Sequence, residues 1–392
     1  MDHSLTEDQQ RIEDAVGAIC DRFDDAFWLE RDRDGGFPFE FHAAMAEGGW
    51  LGIAMPEAQG GAGLGIAEAA VMMRRVAQSP GAMAACSSIH LNIFGPHPIV
   101  VYGTEEQKQR WLPDLIAGRI RSCFGVTEPN AGLDTTNIRT RAVRNGPDSN
   151  AGYTVTGEKI WTSSAQVADC ILLLTRTTPR EECKRPTEGM TLFFTELDRE
   201  RIEVREIDKM GRKAVDSNML FIDGLQVPAG DRIGEEGRGF ECLLHGLNPE
   251  RCLVAAEAIG IGQQALQRAA GYAKERIVFG RPIGRNQAVQ HPLAESWAEL
   301  EAAWLTVLHA AGLYDAGKPC GPQCNAAKYL GAEAGFRACE RAVLAHGGMG
   351  YAKEFHVERL LREVMICRIA PVSRELILSH IAEKALGLPK SY

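Results

Sequence analysis

The sequence predicts an α+β fold in three parts: an N-terminal α-helical domain over 1–121, a middle β-barrel or sandwich domain over 122–237, and a C-terminal helix bundle over 238–392. Three observations carry this. Apolar residues recur at helical spacing through the first third, short strand-like runs between turn residues fill the middle, and long Ala-rich segments of helical period return after Gly239. Thr6 with Gln9 three residues on makes a capping box, and Ile12, Val16, Ile19, Cys20 and Phe23 then follow at the spacing of one buried helix face. Gly35-Gly36, Gly60-Gly61 and Gly95-Pro96 break the helical part. In the middle, Tyr153-Thr154-Val155, Ile171-Leu172-Leu173-Leu174, Thr191-Leu192-Phe193-Phe194 and Met219-Leu220-Phe221-Ile222 read as strands, and polar Thr177 to Gly189 as a surface loop. Arg251 to Arg276 and Gln287 to Leu313 suit a bundle, an architecture that often pairs with copies of itself.

Composition narrows the class. The 392 residues suffice for sizeable cores, and 45% hydrophobic with 24% charged residues is typical of globular proteins. A net charge of -9 argues against general nucleic-acid binding but leaves room for a local Arg cluster that holds phosphates. The start Met1-Asp2-His3-Ser4-Leu5-Thr6-Glu7-Asp8 is acidic without an apolar core, unlike a secretory or mitochondrial leader, and no run of eighteen apolar residues is present. The 11 scattered Cys read as reduced thiols of a cytoplasmic protein. Cys320 and Cys324 lack a second pair at ligand spacing, so no metal site is expected.

The segment Phe124-Gly125-Val126-Thr127-Glu128-Pro129-Asn130-Ala131-Gly132-Leu133-Asp134, with Lys159-Ile160-Trp161-Thr162-Ser163-Ser164 after it, points to a flavin. The hydroxyls of Thr127 and Ser163 can bond the polar edge and N5 region of an isoalloxazine, and Trp161 offers a flat surface beside it. With Leu5-Thr6-Glu7-Asp8-Gln9-Gln10, Gly49 to Glu57 with Gly60-Gly61, Tyr102 to Lys108, Arg276-Ile277-Val278-Phe279-Gly280, His346 to Gly350 and Val357-Glu358-Arg359 in the same order, the chain resembles the acyl-CoA dehydrogenase family nearly end to end. The resemblance implies FAD between the β domain and the C-terminal bundle, an acyl-CoA substrate, oxidation to the 2-enoyl-CoA, an electron-transfer flavoprotein as acceptor, and a homotetramer or homodimer.

It also implies site residues. Phe124, Val126, Thr127, Trp161, Ser163 and Ser373 would contact the flavin. Arg276, Phe279, Gln287, Gly347 and Gly348 match residues that reach the dinucleotide half of FAD across a subunit contact; Arg suits pyrophosphate by its fork of donors, and Gly allows close backbone approach. The usual base, a Glu in a YEGT motif, is replaced by Pro371 within Ala370-Pro371-Val372-Ser373, and proline offers no N–H to a thioester oxygen. A minority of relatives, resembling isovaleryl-CoA and long-chain acyl-CoA dehydrogenases, carry the base on the helix that opens with Glu-Arg. Here that is Leu247-Asn248-Pro249-Glu250-Arg251, with Pro249 expected near a helix start, which makes Glu250 the candidate base. The alternative is a first-turn carboxylate favoured by the helix dipole; Glu354 and Glu375 are fallback bases. Leu133, Asn248 and Arg251 are the expected substrate contacts. Leu133 replaces a usual Ser and Leu344 a usual Gln, while His346 is expected to pack or cap. These departures keep open an oxidase or monooxygenase of the same fold, and a flavin-binding protein without turnover.

Overall fold

The structure, a computed structural model, describes residues 5–148 and 150–391; the leader reading falls partly on residues 1–4, outside the described residues. Helices α1 (Glu7–Cys20), α2 (Asp25–Asp34), α3 (Phe39–Glu47), α4 (Ile66–Ala77), α5 (Ala82–Ile93), α6 (His97–Tyr102) and α7 (Glu105–Ile116) come first. Strands β1 (Ser122–Gly125), β2 (Arg141–Arg144), β3 (Tyr153–Ser163), β4 (Cys170–Arg176), β5 (Met190–Glu196), β6 (Ile202–Glu206), β7 (Ser217–Val227) and β8 (Arg232–Ile233) follow. Then come α8 (Gly239–Glu275), a hairpin of β9 (Ile277–Val278) and β10 (Arg281–Pro282), α9 (Gln287–Asp315), α10 (Gly321–His346), α11 (Val357–Val364), α12 (Ile366–Ile369) and α13 (Arg374–Lys384). The expected capping box is formed: Gln9 N donates to Thr6 Oγ1, and Thr6 N donates to the Gln9 side chain.

The sheet runs β6-β7-β3-β2-β4-β5-β8, with β1 parallel to β4 beside that path. Successive side chains of a strand point to opposite faces. In β4 both faces are buried: Ile171 and Leu173 join Tyr153, Val155, Leu220 and Ile222 in one core, while Leu172 and Leu174 join Trp111, Leu112 and Leu115 from α7 in another. That is why β4 reads as an unbroken apolar run rather than an alternation.

The N-terminal and C-terminal helices share a third core. Val16, Met45, Ala70 and Ile89 pack with Ala255, Ile259, Val307 and Ala338. The small residues have a purpose here: a Cβ on Gly335 of α10 would run into the carbonyl oxygen of Ala258 on α8, so the two helices approach this closely only with glycine at that point. Helix α8 crosses from one core to the next. Cys242 and Leu243 belong to the core of the sheet and α7, and Cys252 and Leu253 to the helical core. Gly239 starts the helix tight against Thr191 and Leu192 of β5, where a Cβ would collide with the Leu192 backbone nitrogen. The expectation that Pro249 stands near a helix start is corrected. It lies inside α8, about three turns from Gly239, and packing on both sides carries the helix through a residue that cannot donate to the carbonyl one turn earlier.

Two buried ion pairs fix the elements that matter for the site. Glu128 accepts from Lys159 Nζ at 2.9 Å and from the backbone N–H groups of Arg139 at 2.6 Å and Thr140 at 2.9 Å, while Lys159 also donates to the Val126 carbonyl at 3.1 Å. Burial pushes the Lys159 ammonium down to about 8 against the pull of Glu128; burial works on Glu128 too, but Lys159 and the surrounding donors hold it below its ordinary value. In the second pair, Arg359 meets Glu363 at 3.3 Å and the Pro80 carbonyl at 2.5 Å, and Glu363 accepts from Ala84 N at the start of α5. Breaking a buried pair by removing one partner leaves an uncompensated charge. Lys159→Met is therefore expected to cost about 3–5 kcal/mol, read as a lower denaturant midpoint at neutral pH. A second change, Glu128→Gln, is expected to return part of that loss.

Candidate active site

A cleft of about 840 Å³ opens between the sheet and the helices. Its sheet wall is made by Phe124, Val126, Thr127, Ile160, Trp161 and Ser163. The Glu128–Lys159 pair and the bond from Ile160 N to the Thr127 carbonyl at 2.9 Å hold the two segments side by side. The β3 register against β7 shifts between Lys159 and Thr162, and Trp161 there takes a left-handed φ of 62°. A bulge of this kind re-aims a side chain. The indole is 56% exposed, a large apolar surface left open on the cleft wall with the hydroxyls of Thr127 and Ser163 nearby. A flat ring system with one polar edge fits such a wall, so these residues suit the isoalloxazine of FAD.

The helical wall comes from α5, α8 and the segment after α11. Ser87, His90, Leu91 and Phe94 line the cleft along one face of α5, and Glu250, Val254 and Glu257 along one face of α8. Glu250 is 8% exposed, and no protein hydrogen bond engages its carboxylate among the described residues. Burial pushes its carboxyl up to about 7, against the opposing pull of His90 and Arg251. The first-turn alternative is ruled out by position, because the residue sits well inside α8 and not in its first turn. Arg251 also lines the cleft and donates to Asn248 Oδ1 at 2.9 Å, so Asn248 positions Arg251 without lining the cleft itself. Glu354 and Glu375 are exposed and outside the cleft lining.

Pro371 and Ser373 line the cleft, and Lys328 Nζ holds their loop through the Val372 carbonyl at 2.7 Å. Ser373 caps α13 by accepting from Leu376 N. Leu133 lies in the lining and is 54% exposed. Arg276, Phe279, Gln287, Gly347 and Gly348 are not brought to the cleft within one chain; all are exposed, Phe279 fully, at the tip of the β9–β10 hairpin with φ 51°. Leu344 is exposed in the same region, and His346 is packed, its ring stacked 4.4 Å from Tyr272 and its Nδ1 at 2.7 Å from the Ala342 carbonyl. All 11 cysteines are free thiols.

Sequence reasoning missed the inner end of the cleft. His90 Nδ1 lies 2.5 Å from Glu257 Oε1, and Arg212 reaches Ser87 Oγ at 3.0 Å. Burial favours the neutral imidazole, yet Glu257 holds His90 above its ordinary value. The spacing Glu250, Val254, Glu257 on one helix face was a usable signal for Glu257; nothing local marked Arg212.

Family models agree with this architecture. Those for the acyl-CoA dehydrogenase N-terminal, middle and C-terminal domains match residues 6–119, 123–225 and 237–386. The acyl-CoA dehydrogenase FadE12 of Mycobacterium tuberculosis H37Rv is 35% identical over 99% of this chain and 98% of its own. The structure of butyryl-CoA dehydrogenase from Megasphaera elsdenii superposes with a TM-score of 0.92 at 29% identity, over 99% of this chain and 100% of that one. A chain from the structure of the electron transferring flavoprotein of Acidaminococcus fermentans gives 0.92 at 31% identity, over 98% and 99%. With all three domain models matched in order, the protein belongs to the acyl-CoA dehydrogenase family and is an FAD-dependent oxidoreductase.

Proposed function

We propose that the protein oxidises an acyl-CoA thioester to the 2-enoyl-CoA, with Glu250 as the group that takes the proton beside the carbonyl. The observation that carries this is the carboxyl of Glu250, buried on the helical wall of the cleft whose sheet wall bears Trp161, Thr127 and Ser163, and pushed up to about 7. A base near neutrality abstracts a proton at working pH and is not so acidic that it cannot hold it. FAD, when bound, supplies the hydride acceptor. Phe124, Val126 and Trp161 give its ring an apolar bed, Thr127 and Ser163 offer hydroxyls to its polar edge, and Ser373 flanks it. Arg251 faces the CoA portion, with Asn248 holding it, and Leu133 borders the thioester arm.

The assembly is part of the same reading. Arg276, Phe279, Gln287, Gly347 and Gly348 reach the dinucleotide half of FAD on a second copy of the chain, in a homotetramer or homodimer. The fully exposed Phe279, with Ile277, Leu344 and Tyr351 exposed on neighbouring segments, supports a covered surface there. We place the domain boundaries at 121/122 and 237/238, and the protein in the cytoplasm with an electron-transfer flavoprotein as acceptor. Among the described residues no helix is long and apolar enough to cross a membrane.

Pro371 favours one second reading, an oxygen-using enzyme on the same fold, because at its own position the loop has no N–H for an enolate oxygen. Anaerobic titration of the yellow protein with straight, branched and ring-bearing acyl-CoAs tests the dehydrogenation step, and rapid oxygen consumption without an added acceptor marks the second reading. Bleaching of the flavin without oxygen supports dehydrogenation; no bleaching by any thioester, while dithionite still reduces the flavin, overturns it. Glu250→Gln is expected to keep FAD and acyl-CoA binding and to lose flavin reduction by about 10²-fold or more; reduction as fast as in the parent removes Glu250 from its role. Because the base acts ionised, the rate of flavin reduction is expected to rise with pH through about 7 and level off above it, read by stopped-flow absorbance.

A further inference from the structure

We infer that the inner end of the cleft is built for an anion, and that the acyl chain this enzyme takes ends in a carboxylate. The inference rests on the acyl-CoA reading above. Its centre is Arg212, in the loop between β6 and β7, where the backbone takes a left-handed φ of 57°. A non-glycine residue there is uncommon and costs backbone energy, so the surroundings hold this arginine in place. Its guanidinium meets only hydroxyls: Ser87 Oγ at 3.0 Å, Ser217 Oγ at 3.3 Å and Ser163 Oγ at 3.5 Å. Among the described residues no carboxylate comes within ion-pair distance of it.

The carboxylates that act on Arg212 from further away are already engaged. Glu257 is paired with His90, Glu363 with Arg359 and the Ala84 N–H, and Asp216 with Asn218 and the Gln166 N–H. His90 and Glu257 neutralise each other when His90 is protonated, which leaves Arg212 without a counter-ion of its own. Beyond these hydroxyls the cleft lining includes apolar Met83, Leu91, Phe94 and Val254. A cation set in such surroundings without a partner is unfavourable, and burial does push this guanidinium below its ordinary value. A carboxylate delivered by the ligand removes that cost, and the planar fork of arginine matches it with two parallel hydrogen bonds.

Position argues for the substrate as its source. The shortest contact of Arg212 is to Ser87 on α5, the helix that carries His90 and Phe94 along the cleft, and the longest is to Ser163 on the flavin wall. Glu257 lies about 10 Å along α8 from Glu250, on the same face. A tail that runs from the proposed base along this face of α8 toward Arg212 is on that scale one of medium length. A hydroxyl or ketone at the chain end would satisfy a hydrogen bond but leave the charge unbalanced.

The test uses the FAD-loaded enzyme and CoA esters in pairs of equal length: hexanedioyl against hexanoyl, octanedioyl against octanoyl, and decanedioyl against decanoyl. Anaerobic stopped-flow bleaching gives the second-order rate of flavin reduction for each. The expected result is a preference for the dicarboxylyl ester in at least one pair, and a fall of that ratio by about 30-fold or more in Arg212→Met, with part of it restored in Arg212→Lys. Preference for the alkyl ester at every length overturns the inference and needs no variant to show it. So does an Arg212→Met enzyme that slows both esters by one factor and shifts the flavin midpoint potential, since the guanidinium then serves the cofactor. If no ester of either kind bleaches the flavin, the dehydrogenation reading itself has failed and this inference with it; bleaching by alkyl esters alone leaves that reading standing and sinks only the carboxylate.

Discussion

The site depends on one buried ion pair. Glu128 and Lys159 come from segments thirty-one positions apart, and their contact, with the backbone donors that fill the remaining lone pairs of Glu128, fixes Thr127 beside Ile160. Trp161 and Ser163 follow directly on the same strand. A charge pair in this setting is sensitive to geometry, because its attraction offsets the loss of water only when every polar atom is satisfied. Glu128 meets that condition with three donors. The sheet wall of the cleft is thus set from behind by electrostatics, leaving its front face free for a ligand.

The helical wall is set in another way. Ser87 and His90 are placed by α5, whose start is held by Glu363 and whose flank packs in the core shared with α8. Glu250 acquires its raised pKa from that location and not from a specific partner: it is removed from water, and the nearby cations only moderate the effect. One wall is held through charge, the other through packing, and the cleft lies where they face each other.

Much of this was legible in the sequence. The capping box at Thr6 and the apolar run of β4 are local signals, and local signals survive translation into structure. Thr127, Trp161 and Ser163 were singled out together as part of an ordered pattern, and the structure brings them to one cleft. Pro249 misled, because a proline within the Gly- and Pro-containing stretch before Ala-rich sequence reads as a helix start, whereas packing of Gly239 against β5 carries the helix ten residues further back. The meeting of His90, Glu257 and Arg212 was invisible for a different reason, although helical spacing from Glu250 marked Glu257 by itself. Each comes from a separate element, their meeting is a property of tertiary packing, and no spacing along the chain encodes it. Arg276, Phe279 and Gln287 are legible as a motif yet remain on the surface of the single chain.

Helix α8 has a further consequence. Its first turns are anchored in the core of the sheet and its remainder in the core of the helices, and Pro249, which removes one rung of the backbone ladder, stands at the crossing with Glu250 directly after it. A rod fastened at both ends and weakened in the middle concentrates any relative tilt of its two supports at that middle. Small rocking of the sheet against the helices, which would barely alter the contacts within either body, is thereby converted into a change in the distance from the carboxylate to whatever lies on the opposite wall. The placement of the Glu250 carboxylate against the opposite wall is thus a property of how the two halves are seated, and a substitution far from the cleft that loosens that seating would shift this carboxylate before it unfolds either half.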